Sequence, residues 1–387
     1  MSLLLEYTLE ATSIFIVTGV LLKALHPLAL QWKLLDLPHG RKDHAYATPV
    51  TGGVAMLAGV LLISIWDLGR SAPTTMVSFS LAAIVLSAVG LWDDRCDVRW
   101  YWRILAQIGA ALIMIYGADI RVEHLGTLFG QERVSLGVFA VPFTVFATVG
   151  IINAVNMIDG ADGLAGLLVA AALLMLALAA ARIGNSGLAR HALLAASAVA
   201  AFLLYNMRFP WQVRAKAFMG NAGSALLGLL IAWVCFRLTQ NPRYPVAPVL
   251  ALWLLPVPII DCLVLTVRRM SQGRSPFSAS REHVHHLMQD GGFGPTQCAL
   301  VLTVASLICG LAADQALHLG VPQSALLIAF IAACVAWYAI SARRPRAVAL
   351  FGRMRRRLGI AHPLHAGAPP VRLQAPPPVR PARVPKR

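Results

Sequence analysis

Long apolar segments separated by short polar connections run through most of this chain. A helix needs about 20 mostly apolar residues to cross a bilayer, and eleven segments of this kind can be read in the sequence. They lie near residues 9–30, 50–67, 74–92, 103–118, 136–155, 164–181, 190–207, 222–238, 246–266, 297–316 and 323–341. The pattern therefore predicts an all-α polytopic membrane protein with about 11 transmembrane helices.

Composition and charge agree with this class of protein. Of the 387 residues, 58% are hydrophobic and 13% are charged, which is outside the usual range of soluble domains. The net charge of +16 indicates orientation rather than nucleic-acid binding, because cytoplasmic loops of membrane proteins collect Lys and Arg. Basic residues are more frequent in alternate connections and after Ser341. We therefore predict an N-terminus outside, a C-terminus in the cytoplasm, and no nucleic-acid partner.

Two regions of the chain differ in character. Residues 1–341 contain all the apolar segments and are predicted to form one integral membrane domain. Residues 342–387 are rich in Pro and Arg and are predicted to form a basic tail on the anionic cytoplasmic leaflet, disordered at its end. Glu6 and Glu10, rather than basic residues, precede the core of the first segment. This favours a retained helix over a signal peptide.

A polar stretch at residues 153–166 separates two of the apolar segments. Its amides and acids recur every third residue, as Asn153, Asn156, Asp159 and Asp162. On a helix the first three share roughly one face, while Gly160 and Gly163 weaken the helix and allow a close approach of the backbone. Ionisable groups at a membrane boundary usually face a cavity, an ion or a substrate. A plain polar loop is the alternative interpretation.

A second acidic cluster follows the third apolar segment. Asp93, Asp94 and Asp97 are three and four residues apart, so a helical end would bring their carboxylates together. Mg²⁺ binds carboxylate oxygens and keeps waters or substrate phosphates as further ligands. The cluster therefore indicates a magnesium site. The alternative is structural neutralisation by the neighbouring arginines Arg95, Arg99 and Arg103.

Two other loops carry candidate phosphate-binding groups. Lys42 and His44 lie in the loop at residues 31–53, where an ordinary positive charge on the cytoplasmic side is the alternative interpretation. The stretch at residues 220–224 opens a helix with two glycines and a serine. It can hold an anion on backbone N–H groups, or it can serve as a surface for close helix packing.

The largest polar loop contains three histidines. His283, His285 and His286 follow Arg281, and together they form a dense group of donors for a phosphate. Zinc is the alternative ligand, although no carboxylate or thiolate stands at an obvious ligand position beside the histidines. Asp261 lies in the preceding apolar segment, where an acid requires a partner or a function.

Together and in this order, these motifs resemble the polyprenyl-phosphate N-acetylhexosamine-1-phosphate transferases. The resemblance covers about residues 30–300. Its motifs are Arg-Lys-x-His at 41–44 with Gly-Gly at 52–53, Asp-Asp-Arg at 93–95, Asn-x-x-Asn-x-x-Asp-Gly-x-Asp-Gly-Leu at 153–164, Phe-Met-Gly-x-Ala-Gly-Ser at 218–224 and His-x-His-His at 283–286. The histidine motif is similar to that of the GlcNAc branch.

This resemblance implies a reaction. GlcNAc-1-phosphate would pass from UDP-GlcNAc to undecaprenyl phosphate, with release of UMP, at the cytoplasmic face of the bacterial inner membrane. The product would begin the synthesis of O-antigen or another surface glycan. Another UDP-N-acetylhexosamine as donor is the alternative within the same chemistry, and the oligomeric state, a homodimer included, is left open.

The resemblance also implies roles for individual residues. The implied catalytic residues are Asp93, Asp94 and Asp159. The implied ligands of Mg²⁺, with Mn²⁺ as an alternative ion, are Asp94, Asn156, Asp159 and Asn221. The implied substrate-binding residues are Lys42, His44, Asp97, Asn153, Asp162, Phe218, Arg281, His283, His285 and His286. Within this set, Asp162 would contact the nucleotide and Phe218 would stack on the uracil.

One position departs from the family pattern. Asn221 stands where the family usually has an aspartate that binds Mg²⁺. An amide oxygen can still bind the ion, but it supplies no charge. We therefore expect the metal affinity to be lower than in relatives that carry the aspartate.

Two other classes of membrane protein share parts of this pattern. A prenyltransferase also uses aspartate clusters with Mg²⁺, but it lacks the histidine loop and the Asn-Asp-Gly block. A transporter tends to place its site near the middle of the bilayer, whereas these motifs gather at the ends of apolar segments. Both features favour an enzyme that works at the membrane surface.

Overall fold

The apolar segments fold into packed helices, and a short two-stranded ribbon follows the first of them. The computed structural model describes residues 3–36, 47–67, 73–130, 133–241, 243, 246–276, 278 and 280–360. The helices in this part of the chain are α1 (Leu3–Gln31), α2 (Gly52–Asp67), α3 (Pro73–Cys96), α4 (Trp100–Ala118), α5 (Ala140–Ile158), α6 (Leu164–Arg182), α7 (Ser186–Asn206), α8 (Gly220–Thr239), α9 (Leu250–Leu254), α10 (Pro256–Ser271), α11 (Val284–Asp290), α12 (Pro295–His318), α13 (Gln323–Ser341) and α14 (Arg344–Arg357). The antiparallel strands are β1 (Leu35–Asp36) and β2 (Thr48–Pro49).

The helices confirm an all-α polytopic membrane protein. Nine of those in the described residues are long and apolar enough to cross a membrane. The segment predicted at 50–67 is the shorter helix α2, with 16 residues. The segment predicted at 246–266 is broken into α9 and α10 at Leu255 and Pro256, because proline removes a backbone N–H and clashes with the preceding turn.

Helix α8 lies at the centre of the bundle, and small residues let its neighbours approach it closely. A Cβ atom added to Gly90 of α3 would lie 2.5 Å from the Cα of Ala222. Gly53 of α2 and Gly223 of α8 face each other in the same way. Close backbone contact between small residues is a common way of packing helices in a bilayer. It fixes the first turn of α8, where the candidate site lies.

A buried ionic network joins three helices at the end of the bundle that is opposite the first turn of α8. Arg190 of α7 donates to Glu10 of α1, with Nε–Oε2 at 2.6 Å, and to Asp67 of α2, with Nη1–Oδ1 at 2.8 Å. Asp67 also contacts His191. Charges in an apolar bundle persist when they pair with one another. This network therefore links α1, α2 and α7 without contributing to the cleft described below.

The predicted basic tail begins with an ordered helix. Helix α14 packs the buried side chains of Ala347 and Phe351 onto the rest of the protein, while several of its arginines are exposed. The predicted disorder at the end of the tail concerns residues 361–387, which lie outside the described residues.

Candidate active site

A cleft of about 840 Å³ opens at one end of the bundle. It lies where α3 and α5 end, where α6 and α8 begin, and beside α11. The residues from the sequence motifs that line it are Asp93, Asp94, Asp97, Asn156, Asp159, Asp162, Phe218, Asn221 and His286. Four motifs that are distant in sequence therefore meet in one cavity, whose size is typical of sites for small-molecule ligands.

Backbone hydrogen bonds join one of these motifs, Phe-Met-Gly, to the Gly-Gly pair at the start of α2. The N–H of Phe218 donates to the carbonyl of Pro49 at 2.9 Å, and the N–H groups of Gly52 and Gly53 donate to the carbonyls of Phe218 and Met219 at 2.9 and 3.1 Å. These bonds hold Phe218 at the wall of the cleft. They also place the Gly-Gly pair directly beside the Phe-Met-Gly sequence.

Asp94 caps the N-terminus of α8. Its carboxylate accepts hydrogen bonds from the backbone N–H groups of Asn221 at 2.8 Å and Ala222 at 3.4 Å. A side chain at Gly220 would collide with this carboxylate, and the positive φ of Gly220 (+68°) also favours glycine. The N–H groups considered for a substrate anion are thus used by Asp94, while Gly223 packs against α2.

Asp93 points to a different set of partners. Its buried carboxylate accepts from the N–H of Val98 at 3.0 Å and from Nη1 of Arg103 at 3.1 Å. Helix α3 ends at Cys96, and Asp97 adopts a left-handed conformation with φ of 49°. The predicted convergence of three carboxylates on one metal is therefore wrong. Asp93 is paired with an arginine and also lines the cleft, and its predicted catalytic role stays a prediction.

The block at residues 153–166 contributes to the cleft only after its first asparagine. Asn156 donates from Nδ2 to the side chains of Asn221 and Ser224, both at 2.8 Å. Asn153 lies one turn earlier on α5, donates to Gln107 at 2.7 Å, and does not line the cleft. Asn153 was predicted to share a helical face with Asn156, but it lies outside the cleft. It lines a smaller apolar crevice beside the cleft.

Asp159 follows the last residue of α5 and lies among other acids. Removal of its carboxyl from water raises its pKa to about 7, and the charges of Asp94, Asp162 and Asp36 act in the same direction. An isolated aspartate would be fully ionised at neutral pH. Here the folded protein holds a carboxyl whose charge a nearby cation would stabilise.

The oxygen groups of the cleft suit a divalent cation in their chemistry. Asp94, Asp159, Asn156 and Asn221 line one cavity, and carboxylate and amide oxygens are ligands that Mg²⁺ accepts. In the described residues no group of three or more His, Cys, Asp or Glu side chains converges as a metal site. The donor set therefore depends on amide oxygens and on any phosphates that a substrate brings.

Sequence reasoning missed two charged residues of the cleft. Arg208 follows α7 and donates from Nε to Oδ2 of Asp162 at 2.6 Å. Asp36 of β1 is far from Arg208 in the sequence but lines the same cleft. Arg208 lies in the loop between α7 and α8, which also carries Arg214 and Lys216. The signal available was its position in that loop, whereas its pairing with Asp162 required the fold.

Another missed residue fixes the loop that carries Asp162. Asn206 accepts from the N–H of Gly163 at 2.8 Å and donates to the carbonyl of Ala217 at 2.9 Å. Gly163 has a positive φ of 81°, which glycine adopts without strain. A single amide therefore holds the start of α6 and the segment leading to α8 in register.

The three histidines have three different environments. His286 lines the cleft. His283 is buried and its Nδ1 lies 2.8 Å from Oδ2 of Asp261, which supplies the partner that this acid was expected to need. Asp261 also accepts from the N–H of Val284 and from Nε1 of Trp337. His283 therefore fixes the start of α11 and does not line the cleft.

His285 belongs to α11 and lies against Gly160 of the polar stretch at residues 153–166. It is 1% exposed, its ring nitrogens have no hydrogen-bond partner in the described residues, and a side chain at Gly160 would collide with its Nε2. Burial, followed by the charges of His286, His283 and Arg281, lowers its pKa well below the ordinary value. The imidazole is thus neutral near pH 7 and can act as a hydrogen-bonding group rather than as a cation.

Three predicted substrate-binding residues, Lys42, His44 and Arg281, are not placed at the cleft by the described part of the chain. Lys42 and His44 lie outside the described residues. Arg281 is described, but it is not among the residues that line the cavity. Their assignments to the substrate remain predictions.

Fold and site together define a multi-pass membrane protein with a polar, carboxylate-rich cleft at one end of its helix bundle. Comparison with known proteins gives the family. Residues 76–239 match the model of glycosyl transferase family 4. The chain is similar to proteins named undecaprenyl-phosphate alpha-N-acetylglucosaminyl 1-phosphate transferase in three bacteria.

These relatives are matched over most of their length. The protein from Salmonella typhi is 32% identical over 351 residues, covering 90% of this chain and 95% of the relative. That of Escherichia coli K12 is 32% identical over 359 residues, covering 92% and 96%. That of Haemophilus influenzae is 33% identical over 285 residues, covering 74% and 80%. The chain belongs to glycosyl transferase family 4, whose members are phosphosugar transferases that generally depend on a divalent metal.

Proposed function

We propose that this protein transfers GlcNAc-1-phosphate from UDP-GlcNAc to undecaprenyl phosphate. An oxygen of the lipid phosphate attacks the β-phosphorus of UDP-GlcNAc, the bond from that phosphorus to the bridging oxygen breaks, and UMP leaves. The observation that carries the proposal is the meeting of four separate motifs in one cleft at the end of an apolar bundle. A lipid-linked phosphate in the membrane and a soluble nucleotide can both reach such a place.

The charges of the cleft suit a reaction between two anions. Arg208 provides a guanidinium beside Asp162, at the position proposed for the nucleotide. His286 and Phe218 line the same cleft and are proposed to contact the sugar phosphate and the uracil, respectively. When bound, a divalent cation would offset the negative charge of the crowded phosphates. Asp94, Asp159, Asn156 and Asn221 are proposed to hold it, with Mg²⁺ as the preferred ion and Mn²⁺ as a substitute.

The proposal is tested with purified protein in detergent or nanodiscs. Radiolabelled UDP-GlcNAc and UDP-GalNAc are each supplied with undecaprenyl phosphate, and UMP and the lipid product are followed together. We expect both products from UDP-GlcNAc in equal amounts. UMP release without a lipid product would contradict the transfer, and preference for UDP-GalNAc would contradict the choice of sugar.

We propose further that the cleft faces the cytoplasm and that the membrane is the bacterial inner membrane. Cys96 is exposed and lines the cleft, so it reports the side directly. A membrane-impermeant maleimide should leave Cys96 unmodified in intact spheroplasts and modify it after permeabilisation. The matched control is Thr127→Cys in a Cys96→Ser background, because exposed Thr127 lies between α4 and α5, at the other end of the bundle. Labelling of Cys96 in intact spheroplasts would reverse the proposed orientation.

Asn221→Asp is expected to lower the Mg²⁺ concentration needed for the half-maximal rate. In the present structure Oδ1 of Asn221 accepts from Asn156 at 2.8 Å, and a carboxylate oxygen can accept the same bond. The substitution therefore keeps this contact and adds a negative charge, which replaces an ion–dipole attraction by an ion–ion attraction. The measurement is a Mg²⁺ titration of both forms, repeated with Mn²⁺.

The control for this titration is Asn185→Asp, which adds the same charge before α7, at the end of the bundle away from the cleft, and keeps the bond that residue 185 accepts from the N–H of Leu188. It should not shift the Mg²⁺ requirement toward lower concentration. Superimposable curves for wild type and Asn221→Asp would show that position 221 does not contact the metal.

A further inference from the structure

The histidine helix α11 is too short to be stable alone and depends on its surroundings. It has seven residues, whereas isolated helices below about 12 residues are marginal in water. One side of α11 forms part of the site, because His286 and Gln289 line the cleft and His285 lies against Gly160. The position of these groups therefore depends on the residues that contact the other side of α11.

A single arginine of the C-terminal segment holds both flanks of this helix. Arg344 is the first residue of α14. Its Nη1 donates to the backbone carbonyl of Arg281, just before α11, at 3.1 Å. Its Nη2 forms an ion pair with Asp290, the last residue of α11. One planar guanidinium thus joins the chain on either side of the histidines.

Packing beneath this arginine supports the same helix. Phe351 of α14 lies against Gly291, where a Cβ atom would be 2.9 Å from the Cβ of Phe351. The ring of Phe351 is 6.2 Å from the ring of Trp337 in α13. Trp337 in turn donates to Asp261 at 3.2 Å, the acid that holds His283. The segment from α13 to α14 therefore contacts α11 at its start and at its end.

The end of α13 is itself fixed by a buried cation. Arg268 of α10 donates to the carbonyls of Ser341 and Tyr338, both at 3.0 Å, and to the hydroxyl of Ser341 at 2.7 Å. Because α14 begins three residues after α13 ends, its starting point is also restricted. Motion of α14 relative to the bundle is thus limited, and this allows it to position another element.

We propose that α14 is a brace for the histidine helix and that Arg344 is a positioning residue for the transfer reaction, acting through His286. The inference rests on the proposed function for its kinetic consequence. Arg344 is about half exposed, with a side-chain exposure of 45%, and exposed ion pairs contribute little to global stability. Its loss should therefore misplace the groups of α11 without unfolding the protein.

The test compares Arg344→Gln with Arg346→Gln, a matched change at an exposed arginine two residues along the same helix. We expect Arg344→Gln to raise the KM for UDP-GlcNAc roughly tenfold, in line with the sensitivity of substrate positioning to small displacements, with kcat within about twofold. Arg346→Gln should match wild type. Asp290→Asn, which keeps the bond to the Arg281 carbonyl, should change KM in the same direction by a smaller factor.

A second readout does not depend on the substrate. Amide hydrogen exchange across residues 281–291 should be faster in Arg344→Gln than in Arg346→Gln, at equal thermal stability. If wild type fails to transfer GlcNAc-1-phosphate, the proposed function fails, while faster exchange would still support the brace. Unchanged exchange and unchanged KM in Arg344→Gln would overturn the brace, as would an equal loss of thermal stability and kcat without a change in exchange.

Discussion

Asp159→Asn is expected to lower the rate of GlcNAc-1-phosphate transfer by a factor on the order of 10²–10³, the size of effect seen when one electrostatic group is removed from a transition-state site. Asp159 lines the cleft beside the charges of Asp94, Asp162 and Asp36. Asparagine keeps the shape of the side chain but carries no negative charge. It can therefore neither offset the charge of a cation nor accept a proton from a phosphate. The measurement is kcat at saturating substrates and Mg²⁺.

The control is Asp314→Asn, the same change at a residue paired with Arg182. Asp314 lies on α12, roughly 28 Å along the helix from Pro295, at 1.5 Å per residue. Pro295 lines the cleft, so Asp314 is at the other end of the bundle. Its variant should retain normal turnover. Near-normal turnover in Asp159→Asn would remove this residue from the catalytic set.

The same variant should alter the dependence of stability on pH. The pKa of Asp159 is about 7 in the folded protein against an ordinary value of 3.8, so between these values the folded state binds the proton more tightly than the unfolded state. The stabilising contribution is complete below about pH 4 and is lost as the pH rises through about 7. Without divalent cations, the unfolding temperature of wild type should therefore fall more from pH 5 to pH 8 than that of Asp159→Asn. Parallel profiles would contradict the raised pKa.

Asp94→Asn is expected to reduce turnover by a similar factor, again on the order of 10²–10³, while leaving the protein as stable as wild type. The reason for choosing asparagine is that Asp94 also caps α8 through the N–H groups of Asn221 and Ala222. Asparagine retains an acceptor oxygen for this cap but loses the charge. Turnover and thermal unfolding are measured on the same preparation.

Asp94→Ala separates the two roles of this carboxylate. It removes the cap as well as the charge, and loss of an N-cap typically costs about 0.5–2 kcal/mol. We therefore expect Asp94→Ala to be less stable than Asp94→Asn but no more active. Normal turnover in Asp94→Asn would mean that Asp94 serves only to start α8.

The two adjacent aspartates show why spacing alone could not define the site. Neighbouring side chains on a helix point about 100° apart, so Asp93 and Asp94 could not both face the same ligand unless the chain bent. In the fold, Asp93 faces Arg103 and Asp94 faces the start of α8. The sequence placed both residues at the cleft, and only the arrangement of α3, α4 and α8 assigned them different partners.

The histidine loop also shows that local spacing does not predict which side chains reach the cleft. Its three histidines were predicted as one group of phosphate donors, yet His283 pairs with Asp261, His285 is buried against Gly160, and His286 alone of the three lines the cleft. The burial of each ring depends on helices far away in the chain. Trp337 and Arg344 support this loop, and no local sequence pattern predicts these contacts.

The amino-acid sequence by itself determined the class of this protein, the positions of most of its apolar helices and the motifs that meet in its cleft. These features follow from local quantities, namely the length of apolar runs and the residues at their ends, because a bilayer imposes its thickness on every helix in the same way. The tertiary structure alone decided which carboxylates are paired, which histidine reaches the cleft, and that Arg208 and Arg344 take part. Those outcomes depend on contacts between residues that are distant in the sequence, such as Asp94 and Asn221, which are 127 positions apart. Packing brings such residues together, and sequence spacing does not specify the contact.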